Sequence, residues 1–287
     1  MRALVTGARG QLGRELEALF AGTPHHEVLA LGHHELDISD RERVLQVCGE
    51  WAPDVVVNAA AFTAVDACEA RADQAFAVNA LGPRNLADGA RLCRAHLVHV
   101  STDYVFDGES PAPYIEWDEP RPLSAYGRSK LGGEREVLSA LPGAAVVRTS
   151  WVVSRHPGNM LRTVLRLAES PGELRFVDDQ RGCPTFADDL AGVLVRLAVA
   201  RAPGIFHVTN QGVTTWHGFA RDVLVAAGYD PGRVVAVKTA GLNPPRAAPR
   251  PANSVLDNSV LRLLGLPLLP DYHEPLERTV KQVLSST

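Results

Sequence analysis

Short apolar runs alternate with helical periodicity along the first half of the chain. The segments with the length of buried strands lie at 3–5, 28–31, 55–57, 97–100 and 145–148. Helical stretches lie between them, around 66–94 and 126–140. Such alternation is typical of parallel strands covered by helices on both faces. We therefore predict an α/β fold with a doubly wound parallel sheet.

The first predicted strand ends at Thr6 and leads into glycines with GxxGxxG spacing, Gly7, Gly10 and Gly13. These glycines allow a tight turn, a close approach of the backbone to a pyrophosphate, and close packing of the following helix on the sheet. A glycine-rich turn that binds nothing is the alternative. The preceding strand and the amphipathic stretch that follows favour a dinucleotide site of the Rossmann type at a helix N-terminus.

The end of the second predicted strand bears on the choice of dinucleotide. An acidic residue that would hold the ribose 2′-hydroxyl of NAD is expected there, but the chain has Gly32. Arg9 and the histidines at 33–34 could accommodate a 2′-phosphate, or could be ordinary solvated residues. Glu35 and Asp37 keep NAD open. We expect NADPH, with NADH as the alternative.

Tyr126 and Lys130 are four residues apart in a predicted helix, which places a phenol and an ammonium on one face. A nearby ammonium lowers the pKa of a phenol and makes it a usable general acid. The spacing also arises by chance on exposed helices. Ala59, Ala60 and Ala61 follow the third strand and would let a dinucleotide lie against the backbone, although tight helix packing explains them almost equally well.

Beyond residue 150 the alternation fades into proline-rich loops, with a short strand at 205–208 and a helix at 216–226. We predict a dinucleotide-binding domain over 1–150 and a smaller C-terminal α/β substrate-binding lobe over 151–287, some of whose segments return to the first domain. Arg246 and Arg250 lie in a basic loop that could grip a diphosphate, or they could be solvated loop arginines.

Composition points to a cytoplasmic enzyme. The 287 residues carry a net charge of −4, which gives no electrostatic reason to expect a nucleic acid or an anionic membrane as a partner. We find no signal peptide and no apolar run of membrane-spanning length. The four cysteines lack metal-finger spacing, so we expect them to be reduced packing residues and expect no structural zinc.

Several linked motifs resemble one family. The glycine motif, a Ser-Thr pair at 101–102 after a strand, and Tyr-x-x-x-Lys in this order resemble extended short-chain dehydrogenases/reductases. More specifically, STDYVFDG at 101–108, NAAAFTAVD at 58–66, YGRSKLGGE at 126–134 and RTSW at 148–151 are similar to the dTDP-4-dehydrorhamnose reductases. TTWH at 214–217 and RPANSVLD at 250–257 extend the resemblance over essentially the whole chain.

The resemblance implies roles for particular residues. The implied catalytic set is Thr102, Tyr126 and Lys130. The expected cofactor-binding residues are Gly7, Arg9, Gly10, Gln11, Leu12, Gly13, Asp37, Ile38, Ala59, Ala60, Ala61, Thr63, Tyr126 and Lys130. The expected substrate-binding residues are Thr102, Asp103, Trp151, Arg250 and Asn253. For Trp151, core packing is the alternative.

The activity that the resemblance implies is NAD(P)H-dependent reduction of the C4 ketone of dTDP-4-dehydro-6-deoxy-L-mannose to dTDP-L-rhamnose, the last step of dTDP-rhamnose biosynthesis. Another nucleotide-sugar 4-ketoreductase of deoxysugar biosynthesis is an alternative. A regulatory subunit like the methionine adenosyltransferase partner is another, which the intact catalytic residues argue against. We expect a monomer or a homodimer whose ligand is a dTDP-sugar.

Metal binding is not supported by the sequence. Some members of the family are magnesium-bridged dimers, and Glu15 falls at a matching place, but a solvated helix glutamate explains it better. We assign no metal ligand, so Mg²⁺ stays an unsupported alternative. Ser39 and Glu42 have the spacing of a helix capping box, and we expect a structural role for them.

Overall fold

The computed structural model of the protein describes residues 1–285; positions 286–287 of the predicted 151–287 lobe lie outside the described residues. The strands are β1 Arg2–Thr6, β2 Glu27–Leu31, β3 Val55–Asn58, β4 His96–Thr102, β5 Ala145–Thr149, β6 Val152–Val153, β7 Leu174–Val177, β8 Arg181–Gly182, β9 Thr185–Phe186, β10 Gly204–His207, β11 Thr214–Thr215 and β12 Val234–Val237.

The central sheet has six parallel strands in the order β10-β5-β4-β3-β1-β2. Each of the five strands predicted in the first 150 residues belongs to it, and the predicted doubly wound parallel sheet is confirmed. The strand order reverses between β1 and β3, and ligands of such sheets bind at the carboxyl edge of this point.

The helices are α1 Gln11–Ala21, α2 Arg41–Trp51, α3 Val65–Ala70, α4 Ala72–Phe76, α5 Gly82–Cys93, α6 Ala125–Ala140, α7 Met160–Ala168, α8 Ala187–Ala200, α9 Trp216–Ala226, α10 Ser259–Leu263 and α11 His273–Ser285. Short 3₁₀ turns lie at Asp103–Val105, Pro231–Arg233 and Thr239–Gly241, and Ala77–Leu81 is π-helical.

Helices cover both faces of the central sheet. On one face, Leu16 of α1 and Leu190 of α8 pack in a core with the strand side chains that point to that face. On the other, Val44 of α2 and Leu86 of α5 pack on Leu4 and its neighbours in the sheet. Alternate residues of each strand point to opposite faces, so strands that are covered on both faces are mainly apolar.

The C-terminal part has its own core. Leu161 of α7, Phe219 of α9 and Val280 of α11 pack together beside the parallel pair β7–β12. Strand β10 and helix α8 come from the C-terminal part of the sequence but belong to the central sheet. Strand β10 is its edge strand, and α8 packs on one of its faces. A division into domains at residue 150 stays a prediction. No helix within residues 1–285 is both long and apolar enough to cross a membrane.

The predicted helical stretch 66–94 consists of α3, α4, the π-helical segment and α5. Within it, the Asn79 side chain accepts from the Phe62 amide at 2.8 Å and donates to the Ser129 hydroxyl at 3.0 Å. One local prediction is wrong. Ser39 does not cap α2. Asp40 accepts from the third amide of the helix, while the Ser39 hydroxyl donates to Asp37.

Candidate active site

The turn after β1 requires glycine. Gly7 has a left-handed φ of 69°, and a Cβ added to it would lie 2.6 Å from the backbone nitrogen of Ala60. The Gly10 amide donates to the Gly7 carbonyl at 2.9 Å and closes the turn just before α1 begins at Gln11. A Cβ on Gly13 would run into the Gly7 carbonyl. The backbone can therefore approach a ligand at the N-terminal end of α1.

A cleft of about 910 Å³ opens at the carboxyl edge of the sheet beside this turn. The predicted cofactor and catalytic residues that line it are Gly7, Arg9, Gly10, Gln11, Leu12, Gly13, Asp37, Ile38, Ala59, Ala60, Ala61, Thr63, Thr102, Tyr126 and Lys130. Asp103 and Trp151 line it too. The structure thus brings together all the predicted site residues except Arg250 and Asn253.

The end of β2 does hold a carboxylate, although the sequence places Gly32 there. Glu35 folds back, accepts from the Gly32 amide at 2.7 Å, and pairs with Arg9 at 3.0 Å. The Gly32 amide and the Arg9 guanidinium hold the pKa of Glu35 below its ordinary value. Glu35, one of the two acidic residues that keep NAD open, is therefore held beside Arg9 at the end of β2.

Tyr126 and Lys130 lie on the inner face of α6, whose N-terminus is capped by the Ser124 side chain. Lys130 Nζ donates to the Val100 carbonyl at 2.7 Å and so ties α6 to the end of β4. Thr102 is the last residue of β4, and its hydroxyl accepts from the Tyr104 amide at 3.2 Å. The catalytic candidates thus come from two adjacent elements that hydrogen bonds join directly.

The pKa of Tyr126 is raised, not lowered as the spacing predicted. Burial is the larger cause, because it disfavours the phenolate, and the hydrogen bond with Thr102 opposes it only in part. Burial also lowers the pKa of Lys130 to about 8, against the opposing charge of Glu134. At neutral pH the chain therefore presents a protonated phenol, which is the form that a general acid requires.

Asp103 carries a buried carboxyl beside the same hydroxyl. Thr102 donates to its Oδ1 at 2.9 Å, and within the described residues Oδ2 has no partner with hydrogen-bond geometry. Burial raises the pKa of Asp103 to about 6, although the nearby Ser254 and Thr102 hydroxyls lower it. The Ser254 hydroxyl itself donates to the Arg181 carbonyl at 3.3 Å. Oδ2 is buried beneath the cleft surface, so the carboxyl acts on the site through its hydrogen bond with Thr102.

An aromatic pair forms another part of the wall. Trp151 stacks on Trp216 with ring centroids 3.6 Å apart and planes 7° from parallel. Trp151 has a left-handed φ of 46° directly after β5, and its ring leaves no space for a Cβ on Gly182. The ring packs on Trp216 and also lines the cleft, so the structure shows the packing, and contact with a ligand stays a prediction.

Arg250 and Asn253 make structural contacts instead. Arg250 forms a bidentate pair with Asp66, at 3.0 and 2.8 Å, and this pair lowers the pKa of Asp66 to about 2. The Asn253 amide donates to the carbonyls of Ser110 and Ala112 at 2.8 and 3.1 Å. Arg250 thereby ties its loop to α3, and Asn253 holds the loop that follows β4. The Arg250 side chain also reaches Tyr104, which lines the cleft.

Glu15 is not the solvated helix glutamate that we expected. It is buried, and its carboxylate lies 3.2 Å from Arg155 and 2.9 Å from the His156 imidazole. The side chain of Gln11, one turn earlier, accepts from Ser154 at 2.9 Å. These contacts bind α1 to the loop after β6. Within residues 1–285 no group of three or more acidic, histidine or cysteine side chains could hold a metal.

Sequence reasoning gave no role to several residues that the structure joins to the site. Trp216 lies 65 residues from its stacking partner Trp151, and no local pattern links them. Glu134 could have been found, because it follows Lys130 by four residues and so shares its helix face. Its partner Arg148 stands inside a buried strand, where an unexplained charge is itself a signal.

Comparison with known proteins identifies the family. The family described as "RmlD substrate binding domain" matches residues 1–285. A probable dTDP-4,6-dihydroxy-2-methyloxan-3-one 4-ketoreductase of Streptomyces antibioticus is 43% identical, over 100% of this chain and 97% of its own. A dTDP-4-dehydrorhamnose reductase of Sinorhizobium fredii is 41% identical, over 99% and 98%.

A solved dTDP-4-dehydrorhamnose reductase of Bacillus anthracis, in complex with NADP, superposes with a TM-score of 0.92 at 35% identity, over 98% of this chain and 99% of that one. Both the sequence and the fold therefore agree over nearly the full length of these relatives. The chain belongs to the RmlD family, whose relatives at this similarity are dTDP-4-dehydrorhamnose reductases and allied 4-ketoreductases.

Proposed function

We propose that this protein reduces the C4 ketone of dTDP-4-dehydro-6-deoxy-L-mannose to dTDP-L-rhamnose, with NADPH as the preferred reductant. The observation that carries the proposal is the convergence of the Tyr126 phenol, the Thr102 hydroxyl and Lys130 in a cleft that begins at a glycine turn. The family's named activities support it. We further propose that the reaction takes place in the cytoplasm, a setting suited to four free cysteines.

The residues of the chain supply proton transfer and orientation. Tyr126 donates its proton to the ketone oxygen, and its raised pKa keeps that proton in place until the oxygen becomes basic. The Thr102 hydroxyl, which donates to Asp103 in this structure, would turn to donate a second hydrogen bond to the same oxygen and align the carbonyl. Lys130 stabilises the phenolate left on Tyr126, because an ammonium nearby favours that form.

The glycine turn fits a dinucleotide, since a Cβ at Gly7 would clash with the backbone of Ala59 and Ala60 and so displace the turn that a pyrophosphate would approach. Gly7, Gly10 and the N-terminus of α1 would hold the phosphates, and Ala59 to Ala61 would lie against the nicotinamide half. A bound nicotinamide cofactor supplies the hydride. Arg9 is our candidate for the 2′-phosphate of NADPH, and its pairing with Glu35 would also let NADH bind.

The sugar nucleotide would lie against the opposite wall of the cleft. Asp103, which lines the cleft, is proposed to accept from a sugar hydroxyl, and Trp151 to present a flat apolar face to the deoxysugar ring. Arg250 and Asn253, predicted as substrate ligands, are proposed to act through the loops that they hold. Arg246 is the more exposed arginine of this loop and remains available for a diphosphate.

Turnover with a defined sugar tests the proposal. Purified protein is mixed with the 4-keto-6-deoxy sugar nucleotide, generated by its epimerase, and with NADPH or NADH in parallel. The proposal predicts oxidation of the nicotinamide and formation of dTDP-L-rhamnose, faster with NADPH. No oxidation with either cofactor, in protein that binds the cofactor, would overturn it and would favour a regulatory subunit.

A second candidate is a 4-ketoreductase that makes another deoxysugar. The observation that favours it is the Streptomyces antibioticus relative, which is named for such a reaction and is as similar as the rhamnose enzymes. The same catalytic residues would serve both reactions, because product stereochemistry depends on how loops orient the sugar. Separation of the product from its C4 epimer by chromatography distinguishes the two candidates.

A further inference from the structure

A buried ion pair lies directly behind the catalytic residues. Glu134 of α6 and Arg148 of β5 form two parallel contacts, with Nη2 to Oε2 at 2.7 Å and Nε to Oε1 at 3.0 Å. Their side chains are only 3% and 2% exposed. Burying two charges is costly, and packed apolar side chains often stabilise a fold at least as well. The pair therefore calls for an explanation beyond stability.

Glu134 contacts both elements that carry the catalytic candidates. It follows Lys130 by one helical turn, on the same face of α6. Its Oε1 also accepts from the Ser101 hydroxyl at 2.5 Å, and Ser101 immediately precedes Thr102 at the end of β4. Arg148 extends the network, since its guanidinium lies 5.2 Å from the centre of the Phe106 ring. One carboxylate thus joins the lysine helix to the threonine strand.

Several titratable or charged groups lie on the elements packed around α6. They include Tyr126, Arg128, Glu134, Arg135 and Glu136 of α6 itself, His99 of β4, Asp103 and Tyr104 after β4, Arg148 of β5, Cys68 and Glu69 of α3, Asp73 of α4, and Arg84 and Asp88 of α5. His99 is neutral, because burial and Lys130 hold its pKa well below the ordinary value. Glu69 accepts from the Ala125 amide, at the far end of the helix.

We infer that Glu134 is a positioning residue that keeps Lys130 in its ammonium form and fixes the spacing between Lys130 and Thr102. The inference rests on the proposed ketone reduction, which requires a charged Lys130. Arg148 and the Ser101 hydroxyl in turn keep Glu134 ionised and oriented, since a carboxylate buried without partners would take up a proton.

The physical basis is a balance of opposing effects on Lys130. Burial disfavours an ammonium, and the negative charge of Glu134 favours it. Loss of an opposite charge about one helical turn away is expected to lower a pKa by about one unit. At pH 8 this would reduce the charged fraction of Lys130 from about one half to about one tenth, a roughly fivefold loss.

The chain offers an unusually direct measurement, because Lys130, Lys238 and Lys281 are its three lysines. Protein made with lysine carrying ¹³C at the ε carbon gives one NMR signal per lysine, and the Lys130 signal is identified by its loss in Lys130→Met. Titration of that signal reports the Lys130 midpoint without any substrate. Lys238, which is exposed and paired with Asp178, serves as the internal reference.

Three variants are compared with the wild type. Glu134→Gln removes the charge and keeps the shape. Glu134→Gln combined with Arg148→Met leaves no unpaired buried charge, in case the single variant does not fold. Glu136→Gln is the matched control, because Glu136 lies two residues away on α6 and pairs with Arg84 at the surface. Glu136→Gln should leave the Lys130 midpoint unchanged.

We expect the Lys130 midpoint to fall by about one unit in both variants that lack Glu134. The pH at which kcat/KM for the sugar declines on the alkaline side should fall by the same amount. An unchanged midpoint in either folded variant would overturn the inference and leave Glu134 as a packing residue. Since the titration needs no turnover, a protein inactive on every sugar would refute the proposed function while still testing Glu134.

Discussion

Asp103→Asn should stabilise the protein at neutral pH while it impairs catalysis. Folding raises the pKa of this carboxyl from 3.8 to about 6, because the side chain is buried. A rise of about 2 in this pKa corresponds to a change of about 3 kcal/mol in the free energy of unfolding. The folded state binds the proton more tightly than the unfolded chain, so this group makes the free energy of unfolding fall as pH rises from about 4 to about 6.

Asparagine keeps the shape and the acceptor for Thr102 but does not ionise. At pH 8 we therefore expect Asp103→Asn to be more stable than the wild type by up to about 3 kcal/mol, and the difference should shrink toward zero near pH 4. Urea denaturation at a series of pH values measures it. If Asp103 accepts from the sugar, kcat/KM should fall by about tenfold or more in the same variant.

Asp107→Asn is the control for this prediction. Asp107 lies in the same segment, but the Tyr114 hydroxyl at 2.7 Å holds its pKa below the ordinary value, so its removal should not stabilise the protein at pH 8. A stability difference for Asp103→Asn that does not change with pH, or that has the opposite sign at pH 8, would refute the reasoning about the buried carboxyl.

Three further substitutions test other parts of the cleft. Gly7→Ala places a Cβ where backbone already lies, on a left-handed residue, so NADPH binding measured by calorimetry should be lost, whereas retained affinity would contradict the role of the turn. Trp216→Leu removes the support of Trp151 and should raise KM for the sugar several-fold with little change in kcat; an unchanged KM would count against the aromatic wall. Glu35→Gln frees Arg9 from its ion pair and should raise the ratio of kcat/KM for NADPH to that for NADH; a lower ratio would exclude Arg9 as the phosphate ligand.

The sheet could be predicted from the sequence because its signals are local. Apolar runs followed by helical periods report the strand and helix order directly, and α9 lies at the predicted 216–226. The glycine turn was equally readable, since its requirement for left-handed backbone falls on one residue, Gly7. Local rules are less reliable where two polar residues compete, and so Asp40 caps α2 in place of Ser39.

The site was predicted less completely, because its electrostatics depend on burial and on distant partners. The spacing of Tyr126 and Lys130 is local, but the direction of the Tyr126 pKa is set by its exclusion from water. Glu15 finds its partners 140 residues along the chain, at Arg155, and Arg250 finds Asp66 at a separation of 184. No sequence period encodes such pairs, so sequence reasoning predicts a solvated side chain for a charge that has no evident partner.

The most direct test of the central claim is a comparison of wild type and Tyr126→Phe on the 4-keto-6-deoxy sugar nucleotide, with NADPH oxidation followed by absorbance and NADPH affinity measured in parallel. The account predicts that the wild type forms the reduced sugar, and that the variant binds NADPH normally but turns over at least about 100-fold more slowly. Turnover by Tyr126→Phe at the wild-type rate, with the same product, would contradict it.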